Sequence, residues 1–313
     1  MKRTFLITKK MAESTKLSKS QFTVFYNSLI KGYSEDFKNI IVGHDELVKN
    51  LFKNNEIIEI EDLEKYIDEI TDNAIKSLLL RLIAVKEIIH CRDDNKNLNI
   101  KEVWTYISKS IKIIPSCYNI SSIGSQGFLS IPLYKYDETL ETFDFIRLHI
   151  FDDSLNELMD LKKCEDFSVH THTFFAKSWI ITGKIINNRY DYILHSENSK
   201  HSFFKVKYND SLNEVNQHTS LAINEKINVE LFQTSEEIHF EKGYYEIKPG
   251  KLHKSGHKNS PFVSATFFSF TGKDGLDKSI VIGPREIEVS EVNRKMIIDP
   301  LYLLEKIDNQ LNN

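Results

Sequence analysis

Cysteine is scarce in this chain. Cys91, Cys117 and Cys164 are the only three in 313 residues, and their spacing suits neither a metal knot nor a disulfide framework. So few unpatterned thiols fit a reducing cytosol. Long apolar runs are also missing. The segment from Met1 to Lys10 holds only a short one, unlike the extended apolar core of a signal peptide. No stretch approaches the roughly 20 apolar residues of a membrane span. Charge of one sign is not in excess either: 41 Lys and Arg face 45 Asp and Glu, for a net charge of -4. That balance gives no attraction to nucleic acid or to an acidic membrane. The expectation is a soluble, cytoplasmic protein that works on a small molecule.

What is present is enough apolar material for a substantial core, 41% of residues, in a length that suits one large domain or two ordinary ones. Residues 18 to 114 read as helices. Phe22, Phe25, Tyr26, Leu29 and Ile30 recur at helical spacing, as do Ile100, Val103, Trp104, Ile107 and Ile111. The segment from Asn73 to His90 is apolar on most of its surface and has no Gly or Pro, the pattern of a helix buried in a bundle. His44 follows Gly43 at a helix start, and His90 ends the buried helix, where a cation complements the dipole. Both read as structural. The region 1–115 is expected to be a helical domain or cap, packed on a sheet, forming a dimer interface or acting as a lid.

Pro115 stops the last of these helices, and a polar stretch marked by Gly124 and Gly127 places a boundary before residue 128. From Phe128 the pattern changes to short runs of Phe, Tyr, Ile, Val and Thr. Asn187-Asn188, Tyr208 to Ser211, Pro249-Gly250 and Gly272 to Gly275 punctuate them as turns. Such strands indicate a β-sandwich or barrel over 128–313, closed by a helix after Asp299-Pro300. The fold class is α+β: a helical N-terminal region, a β-barrel and a short C-terminal helix.

Candidate chemistry gathers around His170 and His172. Two apart in a predicted strand over 167–173, they point to one face, where two imidazoles can share a metal ion. His253 follows the Pro249-Gly250 turn and supplies a third nitrogen from a distant strand. A facial set of three nitrogens with open positions suits non-haem iron chemistry, although imidazole also suits other divalent transition metals. In the strand from Phe143 to Phe151, Arg147 and His149 share a face with Phe143, Phe145 and Phe151. If that face is the inner one, Arg147 can clamp a substrate carboxylate with its fork; otherwise it faces solvent or pairs with an acid. His257, four residues past His253, is read as a fourth ligand, a proton donor at the site or a loop residue.

These residues carry a family resemblance. His170, His172 and Gly183 match the first motif of the cupins, and Gly243, Pro249, Gly250 and His253 match the second, with one residue fewer between Pro and Gly. The Glu ligand usual in the first motif is absent. In this the chain resembles the three-His thiol dioxygenases, of which cysteine dioxygenase is the best known, over its second half. The resemblance implies a jelly-roll barrel, Fe(II) held by His170, His172 and His253, dioxygen as co-substrate, and a small thiol or amino acid derivative as substrate. It implies Ser264 as a member of a catalytic relay whose other positions are Thr266 and Phe268 here. It places a substrate-binding cation near Tyr134 and Lys135, and it suggests a homodimer. Two rivals stand beside the oxygenase: a metal-dependent cupin isomerase or lyase, and a cupin used as a binding module.

Overall fold

In a computed structural model of the protein, residues 15–312 are described, apart from residues 125, 140–141, 209–218, 258–259, 273–276, 278, 294 and 297. Two of the expected turns, at 208–211 and 272–275, fall largely outside the described residues. The chain divides into two units. One holds residues up to Asn119 together with Pro132–Tyr136; the other holds Ile120–Ile131 and Asp137–Asn313.

The first unit is helical, with helices Lys19–Leu29, Glu35–Ile40, His44–Phe52, Ile60–Glu69, Asn73–Asp93 and Ile100–Lys112. A small ribbon pairs β1 (Lys16–Ser18) with β2 (Ile57–Glu59). The apolar segment noted in the sequence forms the central helix, with Leu78, Leu79, Leu82, Val85 and Ile88 fully buried. Each such side chain contributes about 1.5–3 kcal/mol. The Asp72 carboxylate starts this helix by accepting the backbone N–H of Ala74 (2.8 Å) and Ile75 (3.0 Å). Polar side chains lie in this core as well, among them Arg81, which is fully buried, lies 3.8 Å over the Tyr33 ring and donates to Asn119 Oδ1. His44 takes the expected place after Gly43, its Nε2 2.9 Å from Thr23 Oγ1.

Residues 132–136 join this unit by a specific fit. A side chain on Gly32 would meet the Pro132 carbonyl at 2.8 Å, so only glycine admits that backbone. Tyr134 then packs on Phe25 with ring centroids 5.7 Å apart.

The second unit is built from antiparallel strands. They are β3 (Ser122–Ile123), β4 (Leu129–Tyr136, whose first three residues belong here), β5 (Asp144–Phe151), β6 (Phe175–Thr182) and β7 (Lys184–Leu194). There follow β8 (His201–Tyr208), β9 (Thr219–Phe240), β10 (Tyr244–Ile247), β11 (His253–Gly256), β12 (Ser264–Thr271), β13 (Val281–Pro284), β14 (Val289–Asn293) and β15 (Lys295–Met296). The strands form two sheets. One runs β10-β6-β12-β5-β4-β3-β15; the other runs β11-β7-β9-β8-β13, with β14 on β9. The helix Leu301–Asn312 closes the chain, with Leu301 N–H held by Asp299 Oδ1.

This corrects the expected closed barrel: each sheet has its own order and edges, and the chain passes between them at Gly183, where φ is +74°. The core fills from both, as Phe151, Ile180, Tyr245, Ile247 and Phe268 of the first sheet cluster with Ile185 of the second. Asn187-Asn188 is not a turn. β7 runs straight through it, because the Asn187 amide is satisfied sideways by Glu237 Oε2 (3.2 Å) and Ser255 Oγ (3.1 Å). The two strands expected at 227–233 and 237–241 are one long β9. The segment 167–173 is not a regular strand either. It begins in a turn and ends in a bend, with ladder contacts at His170, which bridges to His253 on one side and to Val281 on the other.

Candidate metal centre

Two sequence-distant pieces of chain meet at that bridge. The N–H of His170 donates to the carbonyl of His253 (3.1 Å), and the N–H of His253 donates to the carbonyl of His170 (3.0 Å). Directly paired residues in this kind of bridge place their side chains on one face. His172, two residues on, is added by the local extended backbone, and its carbonyl accepts the N–H of Gly250 (3.0 Å). Gly250 therefore holds the Pro249-Gly250 turn against the His-x-His segment, at a positive φ of +71° that favours glycine.

The three imidazoles converge. Ring centroids are 4.8 Å apart for His170 and His172, 4.4 Å for His170 and His253, and 4.6 Å for His172 and His253. One ligand nitrogen from each lies within 4.8 Å of the others. The outward nitrogens are fixed from behind. His170 Nδ1 donates to the Ser168 carbonyl (2.9 Å), and His253 Nδ1 donates to the Lys251 carbonyl (3.1 Å). A carbonyl on Nδ1 selects the tautomer whose lone pair is on Nε2, the arrangement that metal-binding histidines use. Burial lowers the His170 pKa to about 4, and burial together with the neighbouring histidines holds His172 and His253 well below the ordinary value. All three are neutral at pH 7, the ligand form of imidazole. The donor set therefore fits a divalent transition metal, which His170, His172 and His253 would hold.

Aromatic rings and polar groups surround the centre. Phe268 and Phe270 of β12 stand 5.7 and 5.6 Å from the His172 ring. Across β5, Arg147 is opposite Phe268, Phe145 is opposite Phe270, and His149 is opposite Thr266. Arg147 and His149 thus share the face of β5 that looks toward His172, and Arg147 reaches Ser130 Oγ (3.3 Å) while lying 4.3 Å over the Phe145 ring.

Other expected site residues are placed elsewhere. Ser264 is fully buried at the Gly183 bend, where its hydroxyl accepts the N–H of Lys184 (3.1 Å), so its observed bond is to the fold. His257 lies beyond β11, 3.5 Å from Asp153 and 6.0 Å from the Phe151 ring, outside the three-histidine group. Tyr134 and Lys135 group with the helical unit, and both are buried. Their position in β4 follows the expected strand, but residues 132–136 are drawn to that unit by the glycine contact described above.

Sequence reading missed Gln126. Its amide nitrogen lies 3.0 Å from His170 Nε2 and 3.2 Å from Nδ1. It sits in the polar, glycine-marked stretch that reads as a linker, and nothing in its spacing points to histidine. A cavity of about 570 Å³ also went unforeseen; it lies within the helical unit, lined among others by Glu64, Lys86, His90, Cys91 and Tyr106. Its polar groups are engaged with one another, as Tyr106 with Glu64 and Cys91 with Glu87.

No family model and no curated protein matches the chain. Among solved structures, the coconut allergen cocosin is similar at 8% identity and a TM-score of 0.25, over 52% of this chain. This chain spans about a third of the length of that one, 35%. None of the described helices is long and apolar enough to cross a membrane.

Proposed function

We propose that the sheet unit is a cupin-type metal-binding domain and that it acts as an Fe(II)-dependent oxygenase on a small anionic substrate, a thiol or amino acid derivative. The observation that carries this reading is the convergence of three neutral imidazoles, two of them locked by backbone carbonyls with their lone pairs inward. His170, His172 and His253 would hold the metal. Bound there, iron would supply redox chemistry with dioxygen and attract a negatively charged partner, because three neutral ligands leave its charge uncompensated.

The remaining residues bind and orient. Arg147, which shares a face of β5 with His149, would meet a carboxylate with its two-pronged guanidinium. Phe268 and Phe270 exclude water beside His172 and offer apolar contact to the body of a ligand. Ser264 is not assigned a proton, since its hydroxyl serves the Gly183 bend.

The test is metal analysis of protein purified anaerobically with iron, followed by oxygen-electrode assays on small thiols and amino acids. One equivalent of iron, lost in His170→Ala, and oxygen uptake that Arg147→Met weakens by raising KM about tenfold or more, are the expected results. Protein that retains no metal under these conditions overturns the reading. Protein with metal but without oxygen uptake points to isomerase or lyase chemistry instead.

A further inference from the structure

His149 is the buried titratable group that the three-histidine site leaves unused. It is 6% exposed. Phe128 packs on it at 4.4 Å and Phe268 at 4.8 Å, the latter nearly parallel at 24°. These contacts cover the ring's faces and leave its nitrogens at the edge. Its partner on β12, Thr266, is fully buried, and among the described residues its hydroxyl lacks a partner. An unsatisfied hydroxyl therefore stands beside the His149 imidazole on the face that looks toward His172. Such a buried hydroxyl is costly unless something binds it.

Three features say what binds there. Arg147, two residues from His149 on the same face, supplies positive charge. Phe268 touches both His149 and His172, so the pair adjoins the three-histidine centre. His149 also acts electrostatically on His172, disfavouring a proton there. His149 is nevertheless not in the group whose nitrogens can share one ion.

We infer that His149 and Thr266 form a hydrogen-bonding subsite for a small anion bound at the three-histidine metal, so that the ligand is held at one end by the metal and at the other by the imidazole N–H and the threonine hydroxyl. This rests on the metal-binding reading above but not on the oxygenase chemistry. The subsite selects anions that accept hydrogen bonds over neutral apolar molecules. His149 remains outside the metal's coordination.

Cobalt(II) and azide test this without turnover. Cobalt-loaded wild type, His149→Phe, His149→Gln and Thr266→Val are titrated with azide and followed by visible absorption. His149→Phe should weaken azide about tenfold, Thr266→Val by severalfold, and His149→Gln, which keeps a donor, by less than His149→Phe. Cobalt affinity and the azide-free spectrum should be unchanged in all three. Azide affinity equal to wild type in both His149→Phe and Thr266→Val overturns the inference. Loss of cobalt in His149→Gln comparable to that in His170→Ala also overturns it, by making His149 a ligand. If wild type takes up no cobalt, the metal-binding reading itself fails and the subsite falls with it.

Discussion

The Nε2 atoms of His170 and His172 stand 2.9 Å apart. Without a cation between them, one imidazole must donate to the other, and the Gln126 amide adds a further donor at 3.0 Å. The same lone pairs that make this a crowded corner in the free protein make it a ready donor set for a metal.

Divalent metal should stabilise the fold through these atoms. A ligand that binds only the folded state adds about 2.7 kcal/mol at a free concentration 100 times its dissociation constant. Differential scanning fluorimetry with cobalt or zinc is expected to show a raised midpoint in wild type and none in His170→Ala. An equal rise in both would place the metal elsewhere.

The metal-free protein should weaken in acid. In the unfolded chain these histidines titrate near 6.5, whereas burial holds His170 at about 4 and the other two well below 6.5. Between those values the unfolded state binds more protons than the folded one. Stability present above about pH 6.5 is therefore lost as pH falls toward 4. Thermal midpoints measured across this window should drop steeply, and less so in a His170→Phe, His172→Phe double variant. A flat profile in wild type would contradict the buried neutral imidazoles.

The Gly183 bend separates the two roles open to Ser264. A side chain at Gly183 would run into Ser264 Oγ and meet the Val263 carbonyl at 2.7 Å, at a backbone φ of +74°. Gly183→Ala is expected to cost about 2 kcal/mol or more in chemical denaturation. Ser264→Ala removes only the acceptor for the Lys184 N–H and should cost about 1 kcal/mol while keeping metal content intact. A large loss of turnover in Ser264→Ala with unchanged stability would restore the relay role.

In the helical unit, Asp72→Ala should cost about 1 kcal/mol by removing the cap of the helix Asn73–Asp93. Asp72→Asn, which can accept the same N–H groups, should stay near wild type. A cap variant as stable as wild type would mean that apolar packing alone holds that end.

Local pattern made much of this protein legible. The apolar stretch after Asn73 has the pattern of a buried helix, the short aromatic runs after Phe128 have that of strands, and Gly183 and Pro249-Gly250 marked bends where backbone needs them. The pairing of His170 with His172 is also local, since an extended backbone repeats its direction every second residue. The sequence itself does not show that His253 joins them, nor that Arg147, His149 and Thr266 share one inward face, because these depend on register between strands far apart in the chain. The same limit hid Gln126 and sent Asn187-Asn188 astray: whether a polar side chain marks a turn or satisfies a neighbouring strand is decided by what lies beside it. Periodicity is encoded residue by residue, whereas adjacency exists only after the chain has folded.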